Sequence, residues 1–178
     1  MIKKVGIFCS ASDTIDFVYS EKVRQFGKWM GETGKIVVYG GTALGLMEQM
    51  AQAVKEAGGT IIGVLPTKLE ENGWGSDLSD QTIRTGNLSE RKDVMLRESD
   101  VLVALPGGMG TLDEVFHVIA AAMVDYHNKK VIFYNINGFY NKLLNLFDDL
   151  KATHFITGLP SNYYKVANTF DELKSLLI

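Results

Sequence analysis

Five short apolar runs constrain this chain more than any other feature. They are Val5–Phe8, Ile36–Tyr39, Ile61–Leu65, Val101–Leu105 and Val131–Tyr134. Each is rich in β-branched or aromatic residues and almost unbroken. Runs of this kind predict strands covered on both faces, as in a parallel sheet. Helix-length stretches lie between them, at residues 16–32, 43–58, 87–99, 111–125 and 139–152, with a short last one at 170–177. Strand alternating with helix predicts an α/β layered fold with right-handed crossovers. At 178 residues and about 150 residues per domain, residues 1–178 read as a single domain.

The composition excludes several classes. Eighteen Lys+Arg against 21 Asp+Glu leave a net charge of −3. So small a charge gives no overall electrostatic draw to nucleic acid or an anionic membrane surface, leaving only local patches. Cys9 is the only cysteine, so no intrachain disulfide forms, which fits a reducing compartment. No apolar run reaches the roughly 18 residues of a membrane span, and Met1–Phe8 shows no signal-peptide pattern. The expectation is a cytoplasmic protein with no membrane or nucleic-acid partner. His117, His127 and His154 lack metal-ligand spacing, so no metal is expected. Trp29 and Trp74 read as packing residues and Cys9 as a small buried one.

Pro66–Gly86 resists the strand–helix scheme. It is either a surface excursion or a lid over a site, with Gln81–Thr85 as a short edge strand.

Open α/β sheets bind ligands at the carboxyl ends of their strands. Two glycine-rich turns fall there: Tyr39-Gly-Gly-Thr-Ala-Leu-Gly45 and Leu105-Pro-Gly-Gly-Met-Gly-Thr111. Glycine lets backbone approach a ligand, and the following helix presents free N–H groups and a positive dipole end. Each turn is either a phosphate cradle or a tight connection without ligand. Neither carries the Gly-Lys-Ser/Thr of a Walker loop or a full dinucleotide fingerprint, so no dinucleotide cofactor is expected.

Glu114 lies three residues after Thr111 and should share its helix face. Leu112, Val115, Phe116, Ile119 and Met123 are expected to form the opposite, core-facing stripe. Glu114 then faces a group held at the glycine turn, or completes a Thr-x-x-Glu capping box. Asn87 and Glu90 predict a helix start, with Leu88 and Met95 inward and Arg91 and Lys92 flanking them. An inward Arg91 either meets an anion, a phosphate or an internal carboxylate, or snorkels and stays partly hydrated. The helix Val115–Val124 is apolar almost all round and needs cover on every side, from the core or from a second subunit.

These residues carry a resemblance. Pro106-Gly-Gly-Met-Gly-Thr-Leu-Asp-Glu114 is similar to the PGGxGTxxE motif of the LONELY GUY family, cytokinin-activating phosphoribohydrolases often labelled lysine decarboxylase-like. Glu90-Arg-Lys92 stands at the family's spacing upstream. Gly40-Gly-Thr-Ala-Leu-Gly-Leu-Met47 resembles its GGGxxGLMG stretch, Ile7–Ser12 its first turn and Asn137–Tyr140 a later one. The resemblance covers nearly the whole chain. It implies a Rossmann-like three-layer fold with a mostly parallel sheet, and a homodimer. It implies hydrolysis of the N-glycosidic bond of a nucleoside 5′-monophosphate, without cofactor, to base and ribose 5-phosphate. Arg91 and Glu114 would be the catalytic pair. Gly107, Gly108, Gly110 and Thr111 would hold the phosphate, with Lys92, Gly40, Gly41 and Gly45 completing the substrate site. Arg91 is expected to lower the Glu114 pKa and keep it ionised. Three departures bear on substrate preference: Thr42 and Glu48 replace family glycines, and Leu88-Ser89 stands where many members have Met-His. A lysine decarboxylase would need an electron sink such as PLP, for which the sequence shows no site. The alternative is a non-catalytic carrier of a nucleotide or phosphorylated cofactor.

Overall fold

A computed structural model describes residues 2–178. Seven strands form one sheet: β1 (Lys4–Phe8), β2 (Ile36–Tyr39), β3 (Thr60–Pro66), β4 (Gln81–Thr85), β5 (Val101–Ala104), β6 (Val131–Tyr134) and β7 (Tyr164–Ala167). The order is β4-β3-β2-β1-β5-β6-β7, and every pairing is parallel. The α-helices are α1 (Phe17–Glu32), α2 (Gly45–Glu56), α3 (Thr67–Glu71), α4 (Leu88–Glu98), α5 (Met109–Met123), α6 (Asn141–Ala152) and α7 (Phe170–Leu177). The α/β Rossmann-like architecture expected from the sequence is the one observed. The five apolar runs are the five central strands. Gln81–Thr85 is indeed an edge strand, and β7 at the other edge was not anticipated. Among the described residues, no helix is long and apolar enough to cross a membrane.

The unbroken runs follow from strand geometry. Successive side chains point to opposite faces. Val37 and Tyr39 enter one core with α1, α2 and α7, while Val38 enters the other with α4, α5 and α6. Val101 and Val103 likewise join the first core, and Leu102 and Ala104 the second. Both faces being covered, polar residues of the central strands are confined to the strand starts, as at Lys4 and Thr60.

The α5 stripe needs correction. Its buried residues are Thr111, Glu114, Val115, Val118, Ile119 and Ala122, whereas Phe116 and Met123 are 42% and 38% exposed. An all-apolar helix gives no polar face from which to set its phase. On α4, Leu88 is exposed and Val94 and Met95 are buried. Leu88 is the first helical residue, with nothing packed over it, so the inward face runs through Arg91 itself.

Aspartates tie strand starts together. Asp100 Oδ2 accepts the backbone N–H groups of Lys3 and Lys4 at 2.8 and 2.9 Å, and Asp80 Oδ2 that of Ile61 at 2.8 Å. Those backbone donors hold the Asp100 carboxyl below its ordinary range. Its contribution is therefore complete above the unfolded pKa and lost as pH falls through the lower folded value. Asp100→Ala should cost about 1 kcal/mol at pH 7, the low end because the group is exposed. In urea unfolding, the gap to wild type should close in acid.

Candidate active site

The strand order reverses beside β1, which has β2 on one side and β5 on the other. Ligand clefts open at such a point, beyond the carboxyl ends of the strands. Here a cleft of about 270 Å³ is lined by the turn after β1 (Cys9, Ser10, Ala11) and by Thr42, Leu44 and Met47 after β2. Arg91 on α4, and Gly108, Gly110, Thr111 and Glu114 after β5, line it as well. The turns are laced together: Ser10 N–H donates to Pro106 O, and Leu46 N–H to Ser10 O. Tyr140 donates its hydroxyl to Leu105 O at 2.6 Å, bracing the start of the β5 turn.

Arg91 and Glu114 meet at the centre. Arg91 Nη1 lies 3.3 Å from Glu114 Oε1, with the two side chains 11% and 10% exposed. Arg91 Nε donates to Val64 O at 3.1 Å, anchoring the guanidinium to the end of β3. Outside the cleft, Lys92 pairs with Asp113 at 2.8 Å and His117 Nε2 lies 3.0 Å from Asp93, joining α4 to α5. Lys92, assigned to the substrate site from sequence, thus faces Asp113 and does not line the cleft.

Burial outweighs the ion pair. Loss of hydration pushes the Glu114 carboxyl up to about 7; Arg91 pulls the other way, Asp113 adds to the rise and Lys92 opposes it. Arg91 pulls in the expected direction, but burial prevails, so the expectation of a carboxyl held fully ionised is not met. A carboxyl poised near neutrality can exchange a proton at working pH. Burial, then Glu114, drives the Cys9 thiol far above its ordinary pKa, so Cys9 is no nucleophile at neutral pH.

The glycines divide into two kinds. An added Cβ at Gly40 would strike the Arg91 guanidinium, and at Gly107 the Thr111 side chain. Gly41 and Gly45 have φ of +71° and +54° and pack against Leu65 and against the Ala11–Ser12 backbone. These four serve the chain's own packing, and none of them is among the residues that line the cleft. Gly108 and Gly110 face open space, with no atom within 4 Å of an added Cβ. Nothing in the fold demands glycine at those two positions.

Helix α5 begins at Met109 with Gly108 as its N-cap, and no side chain caps it. Thr111 therefore sits inside the first turn, which removes the Thr-x-x-Glu capping box as an account of Glu114. The first-turn amides are left for water or ligand. The Thr111 hydroxyl is buried without a hydrogen-bond partner. On α4, Asn87 Oδ1 does accept Glu90 N–H, while Glu90 reaches back to Gly86 N–H, one residue before the cap.

Leu69 and Trp74 also line the cleft, contrary to the reading of Trp74 as a packing residue. They come from the Pro66–Gly86 segment, which turns out to be ordered into α3 and β4. Its lack of periodicity hid them; the one signal was a tryptophan between two glycines. Among the described residues, no group of three or more His, Cys, Asp or Glu could hold a metal ion.

Gly110→Ala should raise stability by about 0.5–1 kcal/mol, since alanine favours a helix and meets no obstacle. Gly107→Ala should lower it. Thermal unfolding of the two variants checks the division.

Residues 47–177 match the family described as "Possible lysine decarboxylase". A probable cytokinin riboside 5′-monophosphate phosphoribohydrolase of Oryza sativa subsp. japonica is 40% identical over 158 residues, 86% of this chain and 68% of that protein. A cytokinin riboside 5′-monophosphate phosphoribohydrolase of Arabidopsis thaliana is 37% identical over 154 residues, with the same shares covered. Among solved structures, the molybdenum cofactor carrier protein of Chlamydomonas reinhardtii is similar with a TM-score of 0.74 and 27% identity, over 99% of this chain and 96% of that one. The chain belongs to the LONELY GUY family of cytokinin riboside 5′-monophosphate phosphoribohydrolases.

Proposed function

We propose that the chain hydrolyses the N-glycosidic bond of a nucleoside 5′-monophosphate, a cytokinin riboside 5′-monophosphate or AMP, giving free base and ribose 5-phosphate. One observation carries this reading: the buried Glu114–Arg91 pair shares its cleft with an uncapped helix start and two glycines that the fold itself does not require.

The 5′-phosphate sits at the turn Gly107–Thr111, taking the first-turn amides of α5 and the positive end of its dipole. A phosphate oxygen there also supplies the partner that the Thr111 hydroxyl lacks. Gly108 and Gly110 leave room for it. The ribose then lies towards Glu114. As the bond from C1′ to the base breaks, positive charge develops on the sugar ring, as in glycoside hydrolysis. The Glu114 carboxylate stabilises that charge and takes a proton from the water that adds to C1′, while the base departs with the electron pair of the broken bond and takes up a proton from solvent, to which Glu114 releases its own. Arg91 holds Glu114 in place and supplies positive charge beside the substrate.

The carrier alternative has the Chlamydomonas reinhardtii likeness behind it. A carrier needs the phosphate turn but has no use for a carboxyl buried at a cost against an arginine, so the hydrolase reading stands first. Decarboxylation is not supported, because none of the residues lining the cleft is a lysine.

The enzyme works as one domain over residues 1–178, and we read it as a cytoplasmic homodimer. Phe116, Met123, Val124 and Tyr126 leave an apolar face exposed along and beyond α5, and such faces mark contact surfaces. Equilibrium sedimentation should give twice the chain mass, and Met123→Glu with Val124→Glu should shift it towards the monomer.

Glu114→Gln should cut kcat by about a thousandfold, within the range for loss of a general base, with nucleotide binding largely retained. Because the carboxylate is the active form and its pKa is raised to about 7, kcat/KM should climb with pH through that value. Retained turnover in Glu114→Gln, or a rate that falls as pH rises from 6 to 8, about a unit either side of that pKa, would contradict the role.

A further inference from the structure

The two family glycines that this chain replaces, at 42 and 48, both touch the same segment. Thr42 forms an isolated antiparallel bridge with Gly75. Glu48 Oε2 accepts the Ser76 hydroxyl at 2.7 Å. Backbone bonds continue the seam: Ala43 N–H donates to Trp74 O at 2.8 Å, and Ser76 N–H to Gly41 O at 2.9 Å. On its other flank, Arg84 of β4 grips the Glu70 carboxylate of α3 with two bonds, at 2.7 and 2.8 Å. The strap 67–78 is thus fastened along the β2 turn and to the sheet edge.

This strap carries Leu69 and Trp74 to the cleft. Trp74 stays 45% exposed although its backbone is bonded on both sides, through Trp74 N–H to Leu69 O and through Trp74 O to Ala43 N–H. A large aromatic ring held half bare in a fixed segment is preorganised to receive a flat partner. The cleft lining is chemically mixed: Arg91, Thr111 and Glu114 bring polar groups to it, and Leu44, Met47, Leu69 and Trp74 apolar ones.

We propose that the strap is the base-selecting wall of the cleft, with Trp74 as the specificity-determining residue that stacks on a purine base and Glu48 as the positioning residue that holds the strap. The proposal rests on the hydrolase reading for the direction of the substrate. With phosphate at the α5 turn and C1′ near Glu114, the apolar lining residues Leu69 and Trp74 of the strap offer the base its contact surface. Every base has a π-face, and stacking strength grows with ring area, so a tryptophan wall favours purines over pyrimidines.

Trp29 and Trp74 are the only tryptophans, and Trp29 packs between Phe26 and Phe170. In a Trp29→Phe protein, emission therefore reports Trp74 alone. AMP should quench it, and ribose 5-phosphate, which lacks a base, should not. Trp74→Ala should raise KM for AMP about tenfold, narrow the preference for AMP over CMP, and leave inhibition by ribose 5-phosphate unchanged. Glu48→Ala should shift the Trp74 emission and raise KM for AMP, and Glu48→Gln, which keeps an acceptor for Ser76, should restore both. AMP hydrolysed with unchanged emission, and with KM in Trp74→Ala within about twofold of wild type, would overturn the wall and leave the hydrolase reading standing. Quenching by AMP with no base released would support the wall and contradict the hydrolase reading. No quenching and no release would overturn both.

Discussion

The site depends on one contact, the buried pairing of Glu114 with Arg91. Each partner is placed by something the chain had to arrange. Arg91 reaches the cleft because α4 turns its Arg91–Met95 face inward and because Gly40 leaves the guanidinium room. Val64 O holds its Nε. Glu114 reaches the cleft because α5 starts early, at Met109, and buries the Thr111–Glu114 edge of its stripe. Lys92–Asp113 and Asp93–His117 fasten the two helices outside. A carboxyl so enclosed is uncomfortable: desolvation raises its pKa in spite of the arginine. Groups held in that condition cluster where chemistry is done.

The sheet explains why the pair has a cleft at all. An all-parallel sheet gathers the loops after every strand at one edge. Where the order turns at β1 and β5, two neighbouring loops diverge and leave space between them. The glycines around that space divide into those the fold requires and those it does not. At Gly40 and Gly107 a side chain would collide with the protein itself, whereas at Gly108 and Gly110 it would meet nothing. The second kind is the more informative, because a helix start that tolerates alanine has no internal reason to avoid it.

The strands and most helices were legible because burial on both faces leaves an unbroken apolar signature. β7, Tyr164–Ala167, was not, since it is a short edge strand buried only at its end. The Glu114–Arg91 pair was legible only through the family resemblance, since spacing alone left Glu114 a capping residue as readily as a site residue; its electrostatics were not legible, because the balance of desolvation against attraction depends on depth. The phase of α5 could not be read from a helix apolar on nearly every side, and Leu88 misled the wheel of α4. Trp74 and Leu69 were invisible as site residues because a strap shaped by tertiary bonds carries no periodicity.

The most direct test of the account is chromatography of the products formed from AMP and from adenosine by the purified protein. Adenine and ribose 5-phosphate should appear from AMP, and adenosine should stay intact, because only the nucleotide carries a phosphate for the proposed cradle at the α5 turn. AMP bound but recovered whole would contradict the account, and would leave the cleft as a carrier's site.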